Sequence, residues 1–227
     1  MTKHLEIDLK AVERSLLETS TVVEEMVDLA IKALRFRQFE LIDQVLEREE
    51  EINSAEVKIE EQALNFIALH QPVAVDLRRA AAVLKINNDL ERIADIAVNI
   101  TERAECLAPR PDFEIPSMLI EMTTLAHLML RESLDAFGRS DVELARNVCT
   151  RDDEVDELHR QLVNELYRAM RSDSHLIDPA LNYFSAARHI ERVADHATNI
   201  AEDVIYLVKG EIARHRIDRH PSHKIKP

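Results

Sequence analysis

Residues 91–102 read ERIADIAVNITE and residues 191–202 read ERVADHATNIAE, identical at eight of twelve positions. The relation extends upstream. Glu40-Leu41, Val45 and Glu49 to Asn53 align with Glu143-Leu144, Val148 and Asp152 to Asp156, at an offset of 103 residues that falls to 100 by the later segment. Self-similarity of this length marks two copies of one structural unit, one of them three residues shorter. Within each copy the apolar residues keep a helical period.

The first helix shows that period most plainly. Leu5, Leu9, Val12, Leu16, Val23, Met26, Ala30 and Leu34 follow a four-three rhythm, with Thr19 in one expected slot. Such spacing lays a single apolar stripe along a helix and leaves charged residues on the other faces. Similar stripes run from about Phe39 to Leu69 and from Val73 to Leu107, with breaks at Arg35 to Gln38 and at Gln71-Pro72. Pro109, Pro111 and Pro116 then interrupt any helix. The pattern resumes near Met118 and stops at Gly138, where Ser140 or Asp141 is placed to cap the next helix. That helix reaches about Arg171. A last one starts near Asp178-Pro179 and ends at Gly210, a residue suited to a left-handed C-cap.

The expectation is an all-α chain of six long helices in two tandem, similar three-helix bundles. Residues 1–108 form the first bundle, 109–116 a Pro-rich linker, 117–210 the second bundle, and 211–227 a basic tail. Short connections within each copy make successive helices antiparallel neighbours. Composition agrees: two glycines among 227 residues leave little for the tight turns of a sandwich or barrel, while 46% apolar residues fill a sizeable core.

A net charge of −14, from 43 acidic and 29 basic residues, argues against general nucleic-acid binding, which needs a basic face to displace counterions. It suits cation binding or a basic partner. Cys106 and Cys149 stand outside any paired motif and read as free thiols of a reducing compartment. The N-terminus is charged and amphipathic from Lys3 onward, and no run approaches the ~18 apolar residues of a spanning helix. A cytoplasmic location is expected. From Lys209 to Pro227 the chain carries six Lys/Arg, an extension that either folds over an acidic face, meets an anionic partner or stays disordered.

The third helix of each copy carries Glu91, Asp95, Asn99 and Glu102, then Glu191, Asp195, Asn199 and Glu202. Steps of four, four and three put these groups on one face, where like charges four apart repel by a few tenths of a kcal/mol. The second helices supply Glu49 and Asn53, then Asp152 and Asp156. Antiparallel packing brings the two sets together as an oxygen-rich site suited to magnesium, manganese, calcium or iron. Histidines stand near only the second set (His159, His189, His196), which disfavours a nitrogen-rich zinc site. The plainer alternative is a solvated acidic face paired with Arg92 or Arg192, on a helical scaffold that retains no metal. A di-iron metalloenzyme is a further rival. It needs Glu followed three residues later by His, and none of the ten histidines has it.

The two ERxAD segments, the QPVAVDLR stretch from Gln71 to Arg78 and the closing IYLVKG from Ile205 to Gly210 together resemble the PhoU family. The resemblance implies two three-helix bundles whose acidic motifs bind metal clusters at the surface. It would place Glu49, Asn53, Glu91 and Asp95 in one cluster and Asp152, Asp156, Glu191 and Asp195 in the other, holding iron, manganese, magnesium or zinc. Asn53 stands where the family pattern has a carboxylate, so the first cluster is expected to be the weaker. The implied role is regulatory and non-enzymatic: restraint of phosphate uptake and of the phosphate-starvation response, by coupling the ATPase subunit of a phosphate ABC transporter to a phosphate-sensing histidine kinase. A homodimer, with membrane association only through partners and no direct nucleic-acid contact, completes the expectation.

Overall fold

Helix α1 (Lys3–Phe36) buries the stripe its sequence announces: Leu9, Val12, Leu16, Val23, Met26, Ala30 and Leu34 are in the core, and Thr19 is buried in the slot between them. The computed structural model describes residues 3–109 and 114–210, so part of the Pro-rich linker and the whole basic tail 211–227 lie outside the described residues. After a 3-10 turn at Phe39–Leu41 come α2 (Ile42–His70), α3 (Ala74–Leu107), α4 (Ser117–Arg139) and α5 (Val142–Ser172). A second 3-10 turn at Ser174–Leu176 leads into α6 (Ile177–Lys209). No strand occurs among the described residues.

The helix ends follow local chemistry. Gln71 closes α2 in the left-handed region, its N–H donating to the Ile67 carbonyl at 3.0 Å. Gly210 closes α6 in the same way, at φ 71°, with its N–H on the Tyr206 carbonyl at 2.8 Å. Asp141 is the N-cap of α5, accepting from the N–H groups of Glu143 and Leu144 at 3.0 Å each. Helix α4 runs one residue past Gly138, and Ser140 takes the left-handed position after it. Gly138 lies against α1 instead, where an added Cβ would meet Leu17 Cδ2 at 3.6 Å.

Each bundle packs its three helices side by side, and the repeat is visible in what they bury. Val45, Ile52 and Ile59 of α2 correspond to Val148, Val155 and Leu162 of α5, and all six are in the core. The bundles are not separate bodies. α3 lies antiparallel along α6, and α1 also touches α4, so a single apolar cluster contains residues of all six helices. Small residues such as Ala94, Ala97, Ala194 and Ala197 are fully enclosed, which lets the helices approach closely.

Polar groups pair across the α3–α6 seam at regular intervals. Lys85 pairs with Asp203, which is 2% exposed, and His196 Nδ1 lies 2.8 Å from Asp89 Oδ1. Arg78 packs against the end of α6, its Cζ 3.5 Å from where a Gly210 Cβ would stand. Seam positions on α6 recur every seven residues (His196, Asp203, Gly210), the spacing at which one helix stays facing another.

Candidate metal-binding faces

On the first bundle the acidic face is held by a clamp between helices. Asn87 of α3, 2% exposed, donates its side-chain N–H to the backbone carbonyl of Glu56 on α2 at 2.9 Å. One turn further along α3, Glu91 faces this point. Its carboxyl is raised above the ordinary range by loss of hydration, then by Asp95, and Glu56 adds to the rise while Arg92 opposes it. Arg92 lies 3.3 Å from Glu91 and 3.7 Å from Asp95, so a side chain already supplies part of the positive charge this face lacks. On α2, Asn53 donates to Glu49 at 2.8 Å. Asn99 turns back to its own helix, donating to the Asp95 carbonyl oxygen at 2.6 Å, and Glu102 pairs with Arg103 at 3.1 Å.

On the second bundle the register is the same and the partners differ. Asp156 is raised by partial desolvation against α6, then by Glu191 and Asp153, with Arg160 and His159 opposing. His159 Nδ1 lies 3.0 Å from Glu191 Oε1, and its Nε2 is buried with no hydrogen-bond partner. Thr198 reaches Asp152 at 3.4 Å. Further along, burial first and then Glu202 and Asp152 push the Cys149 thiol up to about 12, which makes it an inert core group rather than a nucleophile. Asp195 is exposed on the same helix, and Asn199 is half-buried.

The structure therefore gathers Glu91 and Asp95 with Glu56, and Asp156 with Glu191 and His159. Glu56 was absent from the sequence reading. Applying the 103-residue offset to His159 lands on it, so the repeat carried the signal. Its carboxylate offsets the one missing at Asn53. Among the described residues no three His, Cys, Asp or Glu side chains stand as a ready-made metal site. Several are turned onto protein partners: Glu49 on Asn53, Glu191 on His159, Asp152 on Thr198.

The donor chemistry nonetheless fits a cation. Two carboxyls, Glu91 and Asp156, are held partly desolvated among like charges, the situation a bound cation relieves. The fit is better on the second face, which sets the His159 imidazole beside its carboxylates, than on the first, where Arg92 already pairs with Glu91 and Asp95.

Comparison with known proteins places these faces in context. A model of the PhoU domain matches twice, at residues 16–104 and 119–204, once per bundle. Proteins named phosphate-specific transport system accessory protein PhoU homolog are similar along nearly the whole chain. The one from Deinococcus radiodurans is 38% identical over 214 residues, covering 92% of this chain and 99% of its own length. The one from Aquifex aeolicus is 38% identical over 209 residues, covering 92% and 95%. Among solved structures, PhoU from Pseudomonas aeruginosa superposes with a TM-score of 0.87 at 37% identity, covering 91% of this chain and 99% of that one. The phosphate transport system regulatory protein PhoU from Streptococcus pneumoniae gives 0.84 at 26% identity, covering 92% and 98%.

Proposed function

The chain belongs to the PhoU domain family, and from that premise we propose that it is an accessory regulator of phosphate uptake, acting by binding rather than by catalysis. The observation that carries the reading is similarity over 92% of the chain to relatives named for the phosphate-specific transport system. In the fuller form of the proposal, the protein links the ATPase subunit of the phosphate ABC transporter to a phosphate-sensing histidine kinase and keeps starvation genes off when phosphate is plentiful. It works in the cytoplasm as a homodimer and meets the membrane only through those partners. Among the described residues no helix is long and apolar enough to cross a membrane.

The acidic faces are the proposed regulatory sites. Glu49, Asn53, Glu56, Glu91 and Asp95 would hold a divalent or trivalent cation on the first bundle, and Asp152, Asp156, His159, Glu191 and Asp195 on the second. Asn99, Asn199, Glu102 and Glu202 are outer positions on the same stripes. A bound cation would supply positive charge that screens the paired carboxylates. The side chains do the rest. Asn87 keeps α2 and α3 in register at Glu56, and the packed core beneath keeps each face rigid with or without metal.

The test is phosphatase reporter output and phosphate uptake in phosphate-replete cells, with the gene deleted and then restored. Constitutive reporter expression in the deletion, silenced on restoration, supports the regulator. Normal repression without the gene overturns it.

A further inference from the structure

At the end of the molecule opposite the α5–α6 connection, α1, α3, α4 and α6 enclose an open cleft of about 510 Å³. Val75 and Arg78 of α3, Leu17 of α1, Phe137 of α4, and Leu207 and Val208 of α6 line it. Glu13 and Arg79 also reach it, but their charges are spent on each other: Arg79 is bidentate to Glu13, at 2.8 Å for both nitrogens. Arg78 is different. Its Nε is buried without a hydrogen-bond acceptor, and among the described residues the guanidinium has neither an ion-pair nor a hydrogen-bond partner. Lys209, exposed at the end of α6, is likewise unpaired among the described residues.

The α2–α3 connection beside the cleft is apolar and turned outward. Leu69 is 79% and Val73 75% exposed, while Pro72 between them is buried, and Val75 and Leu77 also face solvent. Gln71 and Ala74 both take positive φ, of 44° and 49°, a conformation that disfavours side chains and here fixes the loop with its valines outward. The corresponding connection of the second bundle, Asp173–Leu176, is polar and closed by Asp173 on the His175 N–H. Exposed aliphatic side chains gathered around an unsatisfied arginine mark an interaction surface.

We propose that this cleft and its rim dock an amphipathic helix of a partner protein, with apolar side chains on Val73, Val75 and Val208 and a carboxylate on Arg78. Charge decides among occupants. In a symmetric dimer built on this surface, Arg78 and Lys209 of one copy would meet the same cations of the other, like charge on like. The chain's own tail, with Arg214, Arg216, Arg219, Lys224 and Lys226, has the wrong sign for a spot that holds Arg78 and Lys209. A foreign helix with an apolar stripe and an acidic flank satisfies both features. The proposal rests on the reading of this protein as a regulator that acts through a bound partner.

The test uses the full chain and fluorescein-labelled, alanine-based helical peptides of about 16 residues. One peptide carries leucines at i and i+4 flanked by glutamates, and its counterpart has lysines in place of the glutamates. Fluorescence anisotropy should show the acidic peptide binding at least about tenfold tighter. Arg78→Glu should reverse that preference, and Val75→Asp, at an exposed position, should remove binding of both peptides without changing the melting temperature. Equal binding of the two peptides, or an unchanged preference in Arg78→Glu, overturns the proposal. So does a dimer of the unliganded chain that Arg78→Glu dissolves, which would make a second copy the occupant. A chain ending at Gly210 that binds the acidic peptide where the full chain does not would make the tail the occupant and overturn it equally. Reporter output in the deletion strain is indifferent to these results, so failure of the surface and failure of the regulator reading stay distinct.

Discussion

In the first bundle Asn53 and Glu56 occupy the places that Asp156 and His159 hold in the second, Arg92 lies across Glu91 and Asp95, and the hairpin tip is made of Leu69, Val73 and Val75. The second bundle sets His159 beside Glu191 and ends in the polar turn of Asp173 to His175. Beneath these differences the buried positions match: Ile93 with Val193, Ala97 with Ala197, Ile100 with Ile200. Packing admits few substitutions, because a change of one methylene is felt in a close-packed core. Solvent-facing positions have no such restraint. The two copies have kept one scaffold while their faces have diverged in side-chain type and in apolar exposure. The three-residue difference falls between the clusters and the tips. α3 begins at Ala74, 17 residues before Glu91, whereas α6 begins at Ile177, 14 residues before Glu191 and after a 3-10 turn.

The comparison breaks first at the core. If the halves share one core, Ile96→Ala, at a fully buried position of α3, should cost about 2 to 5 kcal/mol and should lower a single unfolding transition rather than one of two. Two separable transitions by calorimetry would mean the bundles fold independently. Next in size is the seam. Lys85→Met leaves Asp203 without its cation and should cost about 2 kcal/mol in denaturant melts, less than the ~3–5 of a fully enclosed pair because Lys85 is 40% exposed. Smaller still is the side-chain cap that α5 has and α2 lacks. Asp141→Ala should cost about 1 kcal/mol, while substitution of Leu41, which caps α2 with no side-chain bond, should leave the α2 terminus unaffected.

The smallest effect concerns Glu91 and pH. Its carboxyl is raised in the folded state, so the protonated form is favoured there. The associated stability is present at low pH and is lost as pH rises through the raised value. Glu91→Gln should therefore stabilise the metal-free protein at neutral pH, by a few tenths of a kcal/mol at a site this accessible. The gain should vanish in melts run below the carboxylate range. A destabilised Gln variant at pH 7 would show that Arg92 already compensates the charge in full.

Much of this architecture was legible from residue spacing alone. The six helices, the duplicated unit, the Asp141 cap and the Gly210 terminus are all written in local patterns. The seam was not. Lys85, Asp89, His196 and Asp203 are polar, and periodicity assigns polar residues to the solvent side. Only the packing of α3 against α6 pairs them and encloses Asp89 and Asp203, and nothing in the local sequence announces that contact. Glu56 escaped for a related reason: a search for carboxylates four apart stops at Asn53, whereas the helix face continues three residues on. The apolar tip at Val73 and Val75 looked like the start of an ordinary core stripe, and its exposure depends on the turn that Gln71 and Ala74 impose.

The most direct test of the divergence between the two faces is metal content, measured by inductively coupled plasma mass spectrometry after purification without chelator. Wild type would be compared with a first-face variant (Glu49, Glu56, Glu91 and Asp95 to Ala) and a second-face variant (Asp152, Asp156, Glu191 and Asp195 to Ala). Loss of the more tightly held metal from the second-face variant, with a smaller loss from the first, is the predicted result. Equal retention by all three proteins, each folded by circular dichroism, would contradict the account and leave both faces as solvated carboxylates.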